Sequence, residues 1–152
     1  MDYATMLAKK SKAQLIGMLV KEAAVLISKP QEVMPLILAE LEKFQCLEQE
    51  NFVVITLDGS YKVIKAHIAS QGLVNRCLVH PREVFRWALT DNASAIIVAH
   101  NHPSGSLTPS IEDRDVTKRL KQAGDIIGVK VLDHVIVGNS VGYYSLRENN
   151  IF

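Results

Sequence analysis

Apolar residues recur three or four positions apart between Ser11 and Ile27, at Leu15, Met18, Leu19, Ala23 and Leu26. That period predicts an amphipathic helix, capped by Ser11 and ended by Pro30. A second helix is expected from about Gln31 to Phe44, with Val33, Leu36, Ile37, Leu41 and Phe44 on its apolar side. Pro35 falls in its first turns, where a missing N–H is tolerated. The period then changes. Phe52 to Leu57 is an unbroken apolar and β-branched run, which reads as a strand buried on both faces. Asp58-Gly59-Ser60 is a turn signal, Lys62 to Ala69 is the return strand, and Gln71-Gly72 is expected to break it. Leu73 to Val79 reads as a third extended piece. Pro81 opens a helix to about Thr90, with Val84, Phe85, Ala88 and Leu89 inward and Trp87 in core or rim packing. Ala95 to Ala99 reads as a strand and Ile111 to Ala123 as a helix, with Gly124 as its stop. The apolar link Ile126-Ile127-Gly128 then enters a strand, Val129 to Val137. Gly138-Asn139-Ser140 is a turn, Val141 to Leu146 is a last strand, and Arg147 to Phe152 is expected to be a loose tail.

Helix, helix, hairpin, helix, strand, helix, hairpin is the order of an α/β fold, with one mixed sheet flanked by helices in three layers. Residues 1–47 form an N-terminal helical appendage that covers the sheet, and residues 48–152 form the core domain. At 152 residues the chain is long enough for one domain with a sizeable core. Its 48% apolar and 22% charged content is ordinary for a globular protein, so neither disorder nor a fibrous class is indicated. A formal net charge of +1 gives no sign of a strongly basic surface overall, and the local candidate for a basic patch is Lys118, Arg119 and Lys121. Cys46 and Cys77 lie far apart and lack Cys-x-x-Cys spacing, so they read as buried thiols in a reducing compartment. Met1 to Lys10 is polar and no apolar run is long enough to span a bilayer. The expected location is cytoplasmic, with no membrane partner.

The chemistry concentrates in fourteen residues, His100 to Asp113. A buried strand delivers His100 and His102, a Pro/Gly loop follows, and the next helix carries Asp113 in its first turn. Side chains at i and i+2 of an extended segment share a face, so both histidines can reach one ion. Two imidazoles and a carboxylate suit Zn²⁺ with the fourth position open to water, which is the catalytic rather than the structural arrangement. The same letters carry a plainer reading. Ser110 and Asp113 fit an N-cap and N3 pair after Pro109, which satisfies helix N–H groups without a metal. Asp113 could also serve the helix dipole alone. Asn101 points away from its two neighbours by strand alternation, and Asp115 is rotated off the face of Asp113 by about 200°. His134 reads as a core or supporting residue, and His67 and His80 as surface or turn histidines.

The run His-Asn-His-Pro-Ser-Gly, followed by Ser110-x-x-Asp113, resembles the JAMM (MPN+) metallohydrolase motif in the form found in the RadC family. His80-Pro81-Arg82-Glu83-Val84, Asn92-Ala93 and Leu132-Asp133-His134-Val135-Ile136-Val137-Gly138 extend the likeness from about Glu50 to the C-terminus. Longer RadC proteins carry an N-terminal helix-hairpin-helix-like region, and this chain reads as a short form without it in full. The resemblance implies a JAMM/deaminase-like core and a zinc metallopeptidase acting on a peptide or isopeptide bond in a protein substrate. His100, His102 and Asp113 would hold Zn²⁺, and Ser110 would donate to the oxyanion. It places the catalytic glutamate just upstream of the first strand, where Glu50 matches. Glu83 is the alternative base and Glu48 a third. The family's DNA-repair label implies the other reading, a protein acting on or binding nucleic acid. In His-Asn-His nucleases, however, those letters are spread over a ββα element. The His-x-Glu and Pro-Cys-x-x-Cys of zinc deaminases are absent here.

Overall fold

β1 (Glu50–Leu57) and β2 (Val63–Gly72) form an antiparallel hairpin in a computed structural model that describes residues 15, 27–43, 48–72, 79–138 and 142–152. Asp58 turns the chain between them, its Oδ1 accepting the Ser60 and Lys62 N–H groups at 2.8 and 3.0 Å. Gln71 and Gly72 do not break the return strand: they pair with Asn51 and Glu50, so the hairpin extends to the end where the histidines lie. β3 (Ala95–Asn101) runs antiparallel to β1, with Phe52 opposite His100. β4 (Lys130–Val137) is parallel to β3, and the short β5 (Tyr143–Ser145) closes the sheet in the order β2-β1-β3-β4-β5.

The two faces of the sheet are covered differently. On one, a 3-10 turn (Pro30–Glu32) leads into α1 (Met34–Lys43). Val33, Leu36, Ile37 and Leu41 bury themselves there against Val53, Ile55, Ile97, Ala99 and Val135. Burying one such aliphatic side chain is worth roughly 1.5–3 kcal/mol, so this short helix is fixed by packing rather than propensity. On the other face lie α2 (Pro81–Thr90) and α3 (Ile111–Ile127), which contribute Val84, Phe85, Ala88 and Leu120 against Phe52, Val54, Ile96 and Val98. Because both faces are covered, all seven residues of β3 are buried. That is the physical meaning of its continuous apolar run. The mixed sheet between helical layers is the α/β arrangement expected from the element order.

Several expectations are corrected. Gly124 does not stop the third helix, which runs on to Ile127 and ends at Gly128 in the left-handed conformation, φ 84°. Glycine is needed at 124 for close approach, since a Cβ there would lie 2.5 Å from the Val129 carbonyl oxygen. Ile126 and Ile127 are therefore exposed helical residues and not a link. Leu89 is 63% exposed, because its neighbours Val84, Phe85 and Ala88 already fill the inward stripe of α2. The C-terminal tail is held: the Ile151 N–H donates to the Leu146 carbonyl at 2.9 Å, and the Arg147 N–H to Asp133 Oδ1 at 3.1 Å. The last strand is only Tyr143–Ser145 within the described residues. The helix from Ser11 to Ile27, apart from Leu15 and Ile27, lies outside the described residues. So do Phe44, Cys46, Cys77, the turn at Asn139-Ser140 and most of the piece from Leu73 to Val79.

Candidate metal centre

β3 carries His100 into the interior with no exposure. The strand's extended path continues one residue beyond its end, where the His102 N–H donates to the Val137 carbonyl of β4 at 2.9 Å. His102 therefore faces the same side as His100, and their Nε2 atoms lie 2.8 Å apart. The loop folds back at Gly105, φ 79°, and sets the Ser106 carbonyl 2.8 Å from His102 Nδ1. A carbonyl only accepts, so Nδ1 carries a proton, and Nε2 is the nitrogen that becomes bare whenever the ring is neutral. Phe52 on β1 stacks along His100, with ring centroids 6.0 Å apart and planes 8° apart, and meets His134 edge-on at 5.4 Å.

α3 begins at the carboxyl end of β3, where α/β sheets usually place ligands. Its N-cap is Ser110, whose Oγ accepts the Asp113 N–H at 3.1 Å, while the Ser110 N–H donates to Asp113 Oδ2 at 2.7 Å. This reciprocal box fixes the carboxylate without exhausting it. Asp113 Oδ1 lies 3.1 Å from His100 Nε2, and Oδ2 lies 3.5 Å from His102 Nε2. Burial opposes the charge on Asp113, but the hydrogen bonds from His100 and His102 prevail and hold the carboxyl well below its ordinary range. Asp113 in turn raises His102, against the pull of burial, with help from the Ser106 carbonyl. An ion bound tetrahedrally by three such atoms would set them about 3.3 Å apart. The two Nε2 atoms are 2.8 Å apart, and each has a different oxygen of Asp113 beside it, at 3.1 and 3.5 Å, so with a small shift of the carboxylate the donor set fits a metal.

Glu50 completes the cluster. It opens β1, which is antiparallel to β3 and so brings its start to the same end of the sheet. Its Oε1 is 3.9 Å from His100 Nε2, and its side chain is 25% exposed, more open than the other three. Glu50, His100, His102 and Asp113 each offer a ligand atom within 4.8 Å of all the others. Glu83 stays in the first turn of α2 and Glu48 is exposed ahead of β1; neither joins this group. Asn101, between the two histidines, points to the other side. Its Oδ1 accepts the Asn51 N–H at 2.8 Å and its Nδ2 donates to the Gln49 carbonyl at 2.9 Å, clamping the peptide groups on both sides of Glu50. Asp115 is exposed, as its rotation from Asp113 requires.

The family profile of the RadC-like JAB domain matches residues 27–151. The chain belongs to the RadC-like JAB domain family. Its relatives include UPF0758 proteins from Clostridium perfringens, 46% identical over 129 residues that make up 85% of this chain and 55% of that protein. One from Clostridium novyi is 45% identical over 145 residues, 95% of this chain and 60% of the relative. One from Thermotoga maritima is 55% identical over 102 residues, 67% of this chain and 46% of the relative. The chain spans about half the length of the curated relatives it matches. The RadC-like match begins ahead of α1, whose side chains share one buried cluster with the sheet. Among the described residues no helix is long and apolar enough to cross a membrane.

Behind this RadC-like centre stand two side chains, His134 and Thr117, whose contacts the motif does not reveal. His134 on β4 has its Nε2 2.8 Å from His100 Nδ1 and its Nδ1 2.6 Å from Thr117 Oγ1, so it is more than core filling. Burial, then the neighbouring His100, holds it well below the ordinary imidazole range. The visible signal is one histidine in the apolar strand Val131 to Val137, which needs a buried partner. Thr117 lies four residues after Asp113, on the same face of α3. His67 is 7% exposed, not on the surface: its Nε2 lies 2.5 Å from Asp91 Oδ2, and Trp87 stacks on its ring at 4.1 Å. His80 is exposed and caps α2, its Nδ1 accepting the Arg82 N–H at 3.1 Å.

Proposed function

We propose that this RadC-like domain is a zinc-dependent hydrolase that cleaves an amide bond in a peptide or protein, with Glu50 as general base. One observation carries the reading: two imidazole Nε2 atoms and one carboxylate stand within 3.5 Å of one another, with the more open carboxylate of Glu50 at their edge. His100, His102 and Asp113 would hold the ion. Zinc bound by three protein groups lowers the pKa of a coordinated water to roughly 7. Glu50 takes a proton from the attacking water and returns it to the leaving amine. Asn101 keeps Glu50 in place for both transfers by holding the peptides on either side of it. Ser110 accepts at its Oγ from the Asp113 N–H, which leaves the hydroxyl proton for the oxygen that becomes negative during attack.

The amide substrate is what likeness to JAMM peptidases implies, and the overall charge of +1 gives no comparable support to a nucleic-acid substrate. Zinc content, followed by cleavage of a peptide library and of single- and double-stranded DNA, tests the reading. Wild type should bind about one zinc and cut peptides. Asp113→Asn should lose both properties, and Glu50→Gln should keep the metal while losing cleavage. Glu83→Gln should change neither. A wild type that binds no zinc, a Glu50→Gln variant as active as wild type, or zinc-dependent cutting of DNA alone would each overturn it.

A further inference from the structure

We infer that Thr117 and His134 are positioning residues that decide which nitrogen of His100 carries its proton, and so leave Nε2 bare toward the ion. The inference rests on the metal reading above. Its starting point is a chain of three short contacts among groups that are essentially buried. Thr117 Oγ1 is 2.6 Å from the Asp113 carbonyl oxygen and 2.6 Å from His134 Nδ1, and His134 Nε2 is 2.8 Å from His100 Nδ1. Thr117 is 2% exposed, and His134 and His100 are fully buried.

Two proton arrangements are self-consistent along this chain. They carry the same net charge, so the choice between them is one of tautomer. In the first, the Thr117 hydroxyl donates to the Asp113 carbonyl and accepts from His134 Nδ1–H. His134 Nε2 is then bare and accepts from His100 Nδ1–H, which leaves His100 Nε2 bare. In the second, every proton is reversed. Thr117 donates to His134 Nδ1, His134 Nε2–H donates to His100 Nδ1, and His100 must carry its proton on Nε2, facing Asp113. The second arrangement closes the site to a metal, because a protonated nitrogen has no lone pair to give.

The contact between Thr117 and Asp113 selects the first. The carbonyl has no proton, so two oxygens 2.6 Å apart attract only if the hydroxyl proton lies between them. A hydroxyl has one proton, and it is spent there. His134 Nδ1 must therefore be the donor at its own 2.6 Å contact, and the rest of the chain follows. The geometry thus ties the two ligands together. The backbone of Asp113, through Thr117 and His134, sets the proton on His100, while its carboxylate faces the other nitrogen of that ring. His102 reaches the same state by a shorter route, through the Ser106 carbonyl. A ligand histidine commonly donates its second N–H to a carbonyl or carboxylate, and losing that partner typically costs 10- to 100-fold in metal affinity. Here the partner is a second imidazole, which could donate or accept, so the threonine is needed to remove the choice.

Long-range proton–nitrogen NMR of the metal-free and zinc-loaded wild type reads the tautomers directly, without a variant. His134 and His100 should both show a protonated Nδ1 and a bare Nε2 in the zinc-loaded protein, with His134 unchanged in the metal-free protein. A protonated Nε2 on His134 in either state overturns the inference. Zinc affinity, measured by competition with a chromophoric chelator, gives the second readout. Thr117→Val, nearly the same shape without the hydroxyl, should bind zinc about 10- to 100-fold more weakly. Thr117→Ser should restore the affinity. A folded Thr117→Val protein that binds zinc like wild type overturns the relay while leaving the metal site intact. A wild type that binds no zinc overturns the metal reading itself. If Thr117→Val does not fold, the wild-type tautomers still decide.

Discussion

If His102 is a metal ligand as proposed, an ion and protons compete for it, and the competition can be read from thermal stability against pH. Asp113 raises the pKa of His102, and the two imidazoles hold the Asp113 carboxyl well down despite its burial. The signs are opposite. Asp113 adds stability that is present above the unfolded carboxyl pKa near 3.9 and is lost as pH falls toward the folded value. His102 adds stability that is fully present below about pH 6.5 and is lost as pH rises through its raised folded pKa. The metal-free protein should therefore hold its full site contribution between about pH 4 and 6.5, and lose part of it as pH rises through the folded pKa of His102, at about 1.4 kcal/mol per unit of His102 elevation. Zinc should reverse the upper limb. Free zinc at 100 times its dissociation constant at pH 8 stabilises by about 2.7 kcal/mol, or roughly 5–11 °C for a domain of this size. Below the His102 pKa the ion must displace a proton, and affinity falls by up to about tenfold per pH unit. Two units below that pKa, zinc at 100 times the dissociation constant of the deprotonated site would stabilise by only about 0.4 kcal/mol. The assay is a melting curve from pH 5 to 8.5 in chelator and in buffered zinc, with Asp113→Asn as the flat control. A zinc increment in Tm that is the same at pH 5.5 and pH 8, or a metal-free Tm that climbs steadily above pH 6.5, refutes the proton competition.

Gly124→Ala should cost about 1–3 kcal/mol in denaturant unfolding, because its Cβ meets backbone at 2.5 Å, whereas Gly128→Ala, with nothing within 4 Å, should cost only about 1 kcal/mol for its left-handed φ. Ser110→Gly should keep the cap to within a few tenths of a kcal/mol yet lower peptide cleavage by about 100- to 1,000-fold, while Ser110→Ala should lose about 1 kcal/mol as well. Asn101→Ala removes the acceptor of the buried Asn51 N–H and should destabilise by about 1–3 kcal/mol, with kcat falling further than zinc affinity because Glu50 loses its clamp.

Much of this molecule could be read from the letters because its elements announce themselves by period. Phe52 to Leu57 and Ala95 to Ala99 are continuous apolar runs, and both became strands covered on two faces. Pro81 marked the start of α2 to the residue. The errors share one cause: a local signal was read without its tertiary neighbour. Gly124 looked like a helix stop, but it is small because Val129 and Phe85 crowd it. Gln71-Gly72 looked like a break, but Asn51 and Glu50 lie across the ladder. His67 looked like a surface residue, and only the fold brings Asp91 and Trp87 to it. At the site, the four cluster residues were all visible in the sequence. Of the layer behind them, His134 was visible as a core or supporting residue, but the partners of Thr117, His134 and Asn101 were not, since they lie up to about fifty residues away in the chain.

Asp113 shows why the two readings of the Ser-x-x-Asp pattern, helix cap and metal ligand, do not compete. A carboxylate has about four acceptor positions, and the capping box uses one of them, at Oδ2. The rest of the group still faces both histidines. The cap does more than coexist with the site. A free aspartate side chain at a helix start would sample several rotamers, and holding it in one conformation for a ligand would cost entropy at the moment of binding. Ser110 removes that freedom in advance, and the reciprocal bond from the Asp113 N–H locks the serine in turn. A helix N-terminus is a poor place for a cation, because its own partial charge is positive. The carboxylate offsets that charge before any ion arrives. Capping is therefore the means by which this helix presents a preorganised anion where its backbone alone would repel a metal.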